Sequence, residues 1–313
     1  MTKLYKNRLL IIALIIAHFI SIRTSSAQSI VYEKGSNFYV VNDLGRNGYY
    51  KQKHIANLMG ELAGLLKIGF IVAAGDTHHF NGVQSTQDPL WMTNYELIYS
   101  HPNLMCEWHP ICGNHEYQGN TEALIDYSNI SRRWVMPALY YSKEIPESAN
   151  NSSLLLVLID TTPLIDSYWT NERYKDVLKQ DTTKQLEWID KTLEESKAKY
   201  KIVIGHHPIY VSEKMRKTEE SLVNKLEPIL KRHNVDMYIA GHSHTFQHIK
   251  KQDSEIHYIV NGSGSSGRYP IEGSETVFCS SDEGFSVVSL SNGRLKMSFM
   301  NFEGKPIHQI ELD

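Results

Sequence analysis

FIVAAGDTHHFNG, residues 70–82, is an apolar, β-branched run that stops on Gly75 and Asp76 and is followed at once by two adjacent histidines, His78 and His79. A short continuous apolar run bounded by glycine reads as a strand buried on both faces, which is the habit of parallel sheets. Polar residues just past such a strand stand where an open α/β sheet places its ligand crevice. The same pattern recurs in FYVVND (38–43), WHPICGNH (108–115), KIVIGHH (201–207) and DMYIAGHSH (236–244), with further apolar runs LLLVLI (154–159) and HYIV (257–260). Helical periodicity fills several of the intervals, at 50–67, 182–199 and 219–233, so the chain reads as a layered α/β fold. Beyond Gly262 the helical patterns stop, and GFSVVSL (284–290) and GRLKMSFMNF (293–302) flank a turn-forming Ser291-Asn292-Gly293. A second, largely antiparallel sheet is expected there.

The 313 residues are 41% hydrophobic, ample for a packed core, and carry a formal net charge of -3. That charge provides no basic footprint for a polyanion, so no nucleic-acid partner is expected. Lys3, Lys6 and Arg8 precede the apolar run LLIIALIIAHFISI, which leads to Ser25, Ser26 and Ala27. This is the layout of a secretory signal peptide over 1–27, leaving a single domain over 28–313, an exported product (periplasmic or secreted) and no stable membrane span. Oligomeric state leaves no mark in the sequence. Cys106, Cys112 and Cys279 allow at most one internal disulfide. The loop GSGSSG (262–267) lacks the lysine and following helix of a phosphate-binding loop. Sequons stand at Asn129, Asn150 and Asn151.

The strand-end residues are Asp43, Asp76, Asn114, His115, His206, His242 and His244. Singly, each is an ordinary turn or cap residue; their recurrence at strand ends is what points to a site. Carboxylates, an amide oxygen and imidazoles, without thiolates, suit a pair of first-row divalent ions. Asp76 is placed to bridge two such ions through its two carboxylate oxygens, and a pair of metals clamps the attacking and leaving oxygens of an in-line displacement.

The set NDLG, GD, GNHE, GHHP and GHSH, with GVQSTQDPLW, GNHEYQGNTEALIDYS, SRRWVMPALYY and GHHPIYVSE in order between Phe38 and Gly264, resembles the calcineurin-like metallophosphoesterases. Within them it is most similar to the short, tartrate-resistant type of purple acid phosphatase. The resemblance implies a four-layer αββα sandwich of two mixed sheets flanked by helices. It also implies that Asp43, Asp76 and His244 hold one metal, and that Asp76, Asn114, His206 and His242 hold the other. In that family the residue three after the shared aspartate is a tyrosine whose phenolate binds ferric iron and gives the colour; here it is His79. Most of the wider superfamily places a histidine ligand two residues after the first aspartate, where this chain has Gly45, as the purple phosphatases do. His79 is therefore expected to supply an imidazole ligand, with His78 on the substrate side or behind the ligands, although the two could exchange roles. Loss of the phenolate charge favours two divalent ions, iron, manganese or zinc, over a mixed ferric and divalent pair.

The expected function is hydrolysis of phosphate monoesters on small phosphorylated substrates, by in-line attack of a metal-bound hydroxide. His115 is the expected general acid and His207 the runner-up. Glu116 is a candidate to orient His115, and Arg132 and Arg133 are read as structural before phosphate-binding. Two alternatives remain: a phosphodiesterase or nucleotide hydrolase on the same site, and a non-catalytic, metal-binding secreted protein.

Overall fold

Alternate side chains of the LLLVLI run face two different cores, and that alternation sets out the layers. Leu154, Leu156 and Leu158 join one buried cluster with Phe38, Val40, Ile202, Ile204 and Phe285. Leu155, Val157 and Ile159 join another with Ile189, Leu193, Leu222 and Leu230. A strand buried on both faces by a period of two requires a layer on each side of its sheet. The computed structural model describes residues 35–147, 152–212 and 218–313. The expected leader and the sequons at Asn150 and Asn151 lie outside the described residues.

The strands, numbered in chain order, are β1 (Ser36–Val41), β2 (Ile68–Ala74), β3 (Glu107–Ile111), β4 (Tyr141–Glu147), β5 (Ser152–Leu158), β6 (Tyr200–Ile204) and β7 (Met237–Ala240). They continue with β8 (Thr245–Lys250), β9 (His257–Gly262), β10 (Thr276–Ser280), β11 (Gly284–Ser291), β12 (Arg294–Asn301) and β13 (Pro306–Leu312). One sheet has the order β13-β12-β11-β1-β2-β3, the other β10-β8-β9-β7-β6-β5-β4. β1, β2 and β3 are parallel, as are β5, β6, β7 and β9. Both sheets are mixed, and with their outer helices they make the four-layer αββα sandwich.

Helix Gln52–Leu66 covers the outer face of the first sheet through Ile55, Ala56, Met59, Leu62, Ala63 and Leu66, a stripe at helical spacing. It stops at Lys67, whose left-handed backbone (φ 54) returns an N–H to the Ala63 carbonyl. Helix Thr182–Glu195 is capped by the Asp181 carboxylate and covers the second sheet. The pattern over 219–233 reads as one helix but forms two, Glu220–Lys225 and Glu227–Arg232. Pro228 lacks the N–H that would continue the first into the second, so it opens a new first turn.

The C-terminal strands differ from expectation. They build no sheet of their own: β11 pairs antiparallel with β1, and β12 and β13 follow outward. β1 has β2 on one side only, and the apolar C-terminal run supplies the missing neighbour on the other. The two sheets are sewn together beside β1 by buried amides. Asn261 Nδ2 donates to Val40 O at 3.0 Å and to Asn42 Oδ1 at 2.8 Å, while Asn42 Nδ2 donates to Gly262 O at 2.9 Å.

Candidate metal centre

The parallel strands of both sheets end at one edge of the sandwich, and there the loops after β1, β2, β3, β6 and β7 converge. Asp43 and Asp76 are buried, as are His79, Asn114, His206, His207 and His244, while His115 and His242 are partly exposed. Asp43, Asp76, His242 and His244 all have left-handed backbones, with φ of 50, 53, 66 and 57°. Such strain in four neighbouring non-glycine residues is typical of a site held by its surroundings.

The turns need their glycines because the loops touch. A Cβ on Gly113 would come within 2.2 Å of Asp76 Oδ1, and one on Gly45 within 1.8 Å of the Thr77 carbonyl oxygen. The second contact explains why no side chain two residues after Asp43 can reach this centre.

Asp43 Oδ2 accepts from Asn42 Nδ2 at 2.8 Å and from the His242 N–H at 2.7 Å. Its Oδ1 is left facing His244 Nε2 at 2.9 Å. Asp76 Oδ1 accepts from the His115 N–H at 3.0 Å, whereas Oδ2 faces His206 Nε2 at 3.2 Å, His79 Nε2 at 3.4 Å and His115 Nε2 at 3.9 Å. One oxygen of Asp76, rather than both, therefore points at the imidazoles. Ligand atoms of Asp43, His79 and His244 lie within 4.8 Å of one another, as do those of Asp43, Asp76 and His206, of Asp76, His79 and His115, and of His206, His207 and His242.

The donor set fits metal ions. Asp43 Oδ1, Asn114 Oδ1, His206 Nε2 and both ring nitrogens of His79 are buried without a hydrogen-bond partner, an arrangement too costly to keep unless a cation completes it. His206 shows why. Its Nδ1 lies 3.0 Å from the Ala74 carbonyl and so carries the hydrogen, which turns the Nε2 lone pair toward carboxylate lone pairs. A bound metal cation resolves that opposition, and without one a second proton on the ring does. Burial works against a charged ring there, but Asp76 and Asp43 more than offset it and push His206 up to about 9. Burial likewise raises the Asp43 carboxyl, and the His244 and His206 imidazoles override it to leave the group well below the ordinary range.

Each sequence-derived residue has a definite place. His79 stands in the cluster, its ring centre 4.2 Å from that of His115. His78 does not: it points into the aromatic core, 4.5 Å from Trp91 and 6.4 Å from Trp134, and burial pushes it down to about 3. It is therefore not on the substrate side. His115 is held by its Nδ1 against the Phe80 carbonyl, which turns Nε2 toward Asp76. His207 has Nδ1 at 2.9 Å from Thr161 Oγ1 and Nε2 at 2.9 Å from Tyr168 Oη. His207 and His242 also line a cleft of about 210 Å³ with Ile165, Tyr168, Val211 and Glu219.

Glu116 does not orient the His115 ring. Its buried carboxylate accepts from the N–H groups of Asp76 (2.9 Å), His78 (3.0 Å) and Gly113 (2.7 Å), locking the loops after β2 and β3 together. Arg133 is buried and paired with Glu96, which makes it structural. The serines of GSGSSG serve the site from behind, with Ser265 Oγ donating to the Asp43 carbonyl at 2.5 Å. Cys106, Cys112 and Cys279 are free thiols.

The family model for calcineurin-like phosphoesterases matches residues 36–246. Purple acid phosphatase 3 of Arabidopsis thaliana is 34% identical over 288 residues, covering 87% of this chain and 76% of its own. Tartrate-resistant acid phosphatase type 5 of Sus scrofa is 30% identical over 239 residues, covering 73% and 69%. Among solved structures, GAP50, the anchor in the inner membrane complex of Plasmodium, superposes with a TM-score of 0.78 at 26% identity, covering 90% of this chain and 89% of that one. The chain belongs to the calcineurin-like phosphoesterase family. Its relatives place it among the metal-dependent phosphatases of purple acid phosphatase type.

Proposed function

We propose that this chain is an exported dinuclear-metal phosphatase that hydrolyses phosphate monoesters. The observation that carries the reading is the convergence of buried donor atoms without partners among the described residues, contributed by four different strand-end loops, with His242 and His244 arriving from a fifth. Asp43, Asp76, His79 and His244 would hold one ion, and Asp76, Asn114, His206 and His242 the other, with Asp76 common to both sets. When bound, two divalent ions supply Lewis acidity toward phosphoryl oxygens and lower the pKa of water at the site.

The chain's own groups do the rest. Buttressing of Asp43 by Asn42 and of Asp76 by the His115 N–H keeps the carboxylates from turning away as charge develops. His115 is the general acid: it is partly exposed, its Nδ1 is anchored on Phe80, and its Nε2 faces the cluster, where it can pass a proton to a leaving alkoxide. His207 is less suited, since two hydroxyls hold its ring nitrogens. The small cleft beside His207 and His242 has a size that suits small substrates.

The likeness to GAP50 supports a second reading, a binding protein that keeps the fold without turnover. The complete donor set argues against it. The test is hydrolysis of an aryl phosphate monoester and the matching diester by protein loaded separately with manganese, zinc and iron. Faster monoester turnover is expected. Diester preference would make the chain a phosphodiesterase, and no turnover at full metal occupancy would favour the binding protein.

A further inference from the structure

Arg46 follows Asp43 by three residues in the loop after β1, and its backbone N–H is fixed at 3.0 Å to Gln52 Oε1. Its guanidinium carbon lies 5.0 Å from the centre of the Phe80 ring. That ring is 62% exposed and its centre is 6.3 Å from that of His115. Phe80 thus stands between the arginine and the candidate general acid, and its own carbonyl anchors the acid.

The guanidinium is in the field of Asp43 and Asp76, which pull its pKa upward against the larger effect of burial. Yet it forms no ion pair with either among the described residues, and its Nε is buried with no acceptor. The carboxylates are turned away from it: Asp43 Oδ2 accepts from Asn42 and the His242 N–H, Asp76 Oδ1 from the His115 N–H, and the other two oxygens face the imidazoles of the centre. Arg268 and His79 add positive charge or bulk nearby rather than an acceptor. A planar fork of donors held beside a cation-binding centre, stacked on an aromatic ring and lacking an acceptor, matches an oxyanion arriving from solvent. With both ions bound, the arginine would be repelled unless such an anion came between them.

We propose that Arg46 is a substrate-binding residue that grips the phosphoryl oxygens of the ester, with Phe80 as the platform that holds its guanidinium in place. This rests on the phosphatase reading.

The test uses the metal-loaded full chain, with inorganic phosphate as the probe in calorimetry, alongside steady-state kinetics and metal analysis. Arg46→Ala is expected to weaken phosphate binding by about tenfold to a hundredfold, the range for loss of charge-assisted hydrogen bonds. The value of kcat/KM should fall in parallel, with metal content unchanged and partial recovery in Arg46→Lys. Phe80→Ala, at an exposed position that folding tolerates, should weaken phosphate binding by about threefold to tenfold, the scale of a cation–π contact. Phosphate affinity within twofold of wild type in Arg46→Ala, or loss of metal as the cause of any decline, would overturn the proposal. If the wild-type protein shows no turnover while phosphate binding still depends on Arg46, the phosphatase reading fails and the anion site stands.

Discussion

At position 79 an imidazole takes the place held by a phenolate in the purple phosphatases, and the structure seats it against Asp76 and beside His115. If His79 is a ligand as proposed, the exchange removes one negative charge from around one ion and is expected to weaken ferric binding relative to divalent binding. His79→Tyr should therefore restore a charge-transfer band in the visible when the protein is loaded with ferric iron, while the wild type loaded in the same way stays pale. An uncoloured variant with iron bound would mean that residue 79 does not reach the metal. The histidines and aspartates of the centre were legible because each sits where an apolar run stops. Arg46 was not, since an arginine in a polar loop reads as a solvated charge until Phe80 and the empty set of acceptors are seen around it.

Among the elements, the short turn carrying Glu116 has an effect out of proportion to its length. Three backbone N–H groups from two loops converge on one buried carboxylate. Glu116→Ala leaves all three without a partner, and at about 1–3 kcal/mol for each unsatisfied buried donor, less whatever water can enter, a loss of roughly 3 kcal/mol is expected. Chemical denaturation checks this, and Glu116→Gln should recover part of it; a loss below about 1 kcal/mol would show that the N–H groups find other partners. Sequence indicated only that an acidic residue follows His115, and a carboxylate at the start of a helical turn has an ordinary explanation in the helix dipole. The strands were legible unevenly for a related reason. β2, β5 and β6 are interior strands with long apolar runs, whereas β4, β8, β10 and β13 include edge strands and polar alternations such as TFQHIK and PIHQIEL. Such strands owe their state to a neighbour that only the fold provides.

Across the whole molecule, a second histidine group ties the two sheets together away from the centre. His308 of β13 lies 3.0 Å from His248 of β8, which lies 2.9 Å from His257 of β9. Burial lowers all three, His248 to about 3 and His257 to about 4, with the charge of Lys250 adding to the effect on both and Glu255 opposing it on His257. Rings neutral in the fold but protonated when unfolded below about 6.5 make stability fully present above that pH and lost as pH falls toward 4. Allowing for screening at the partly exposed rings, the loss is on the order of a few kcal/mol. Thermal melts from pH 7 to 4 should show the decline, and His248→Leu should flatten it; an unchanged slope in that variant would remove the cluster from the explanation. The position of β1 has a consequence in time. Asp43 follows this strand by two residues, yet the strand is flanked by β2, made soon after it, and by β11, made only after every strand of the second sheet. During synthesis β1 therefore waits with one edge bare, and so non-local a pairing is slow to form. A fully buried carboxylate of the candidate centre reaches its final setting among the last events of folding, so a growing chain that met a metal ion early would have no finished place to put it.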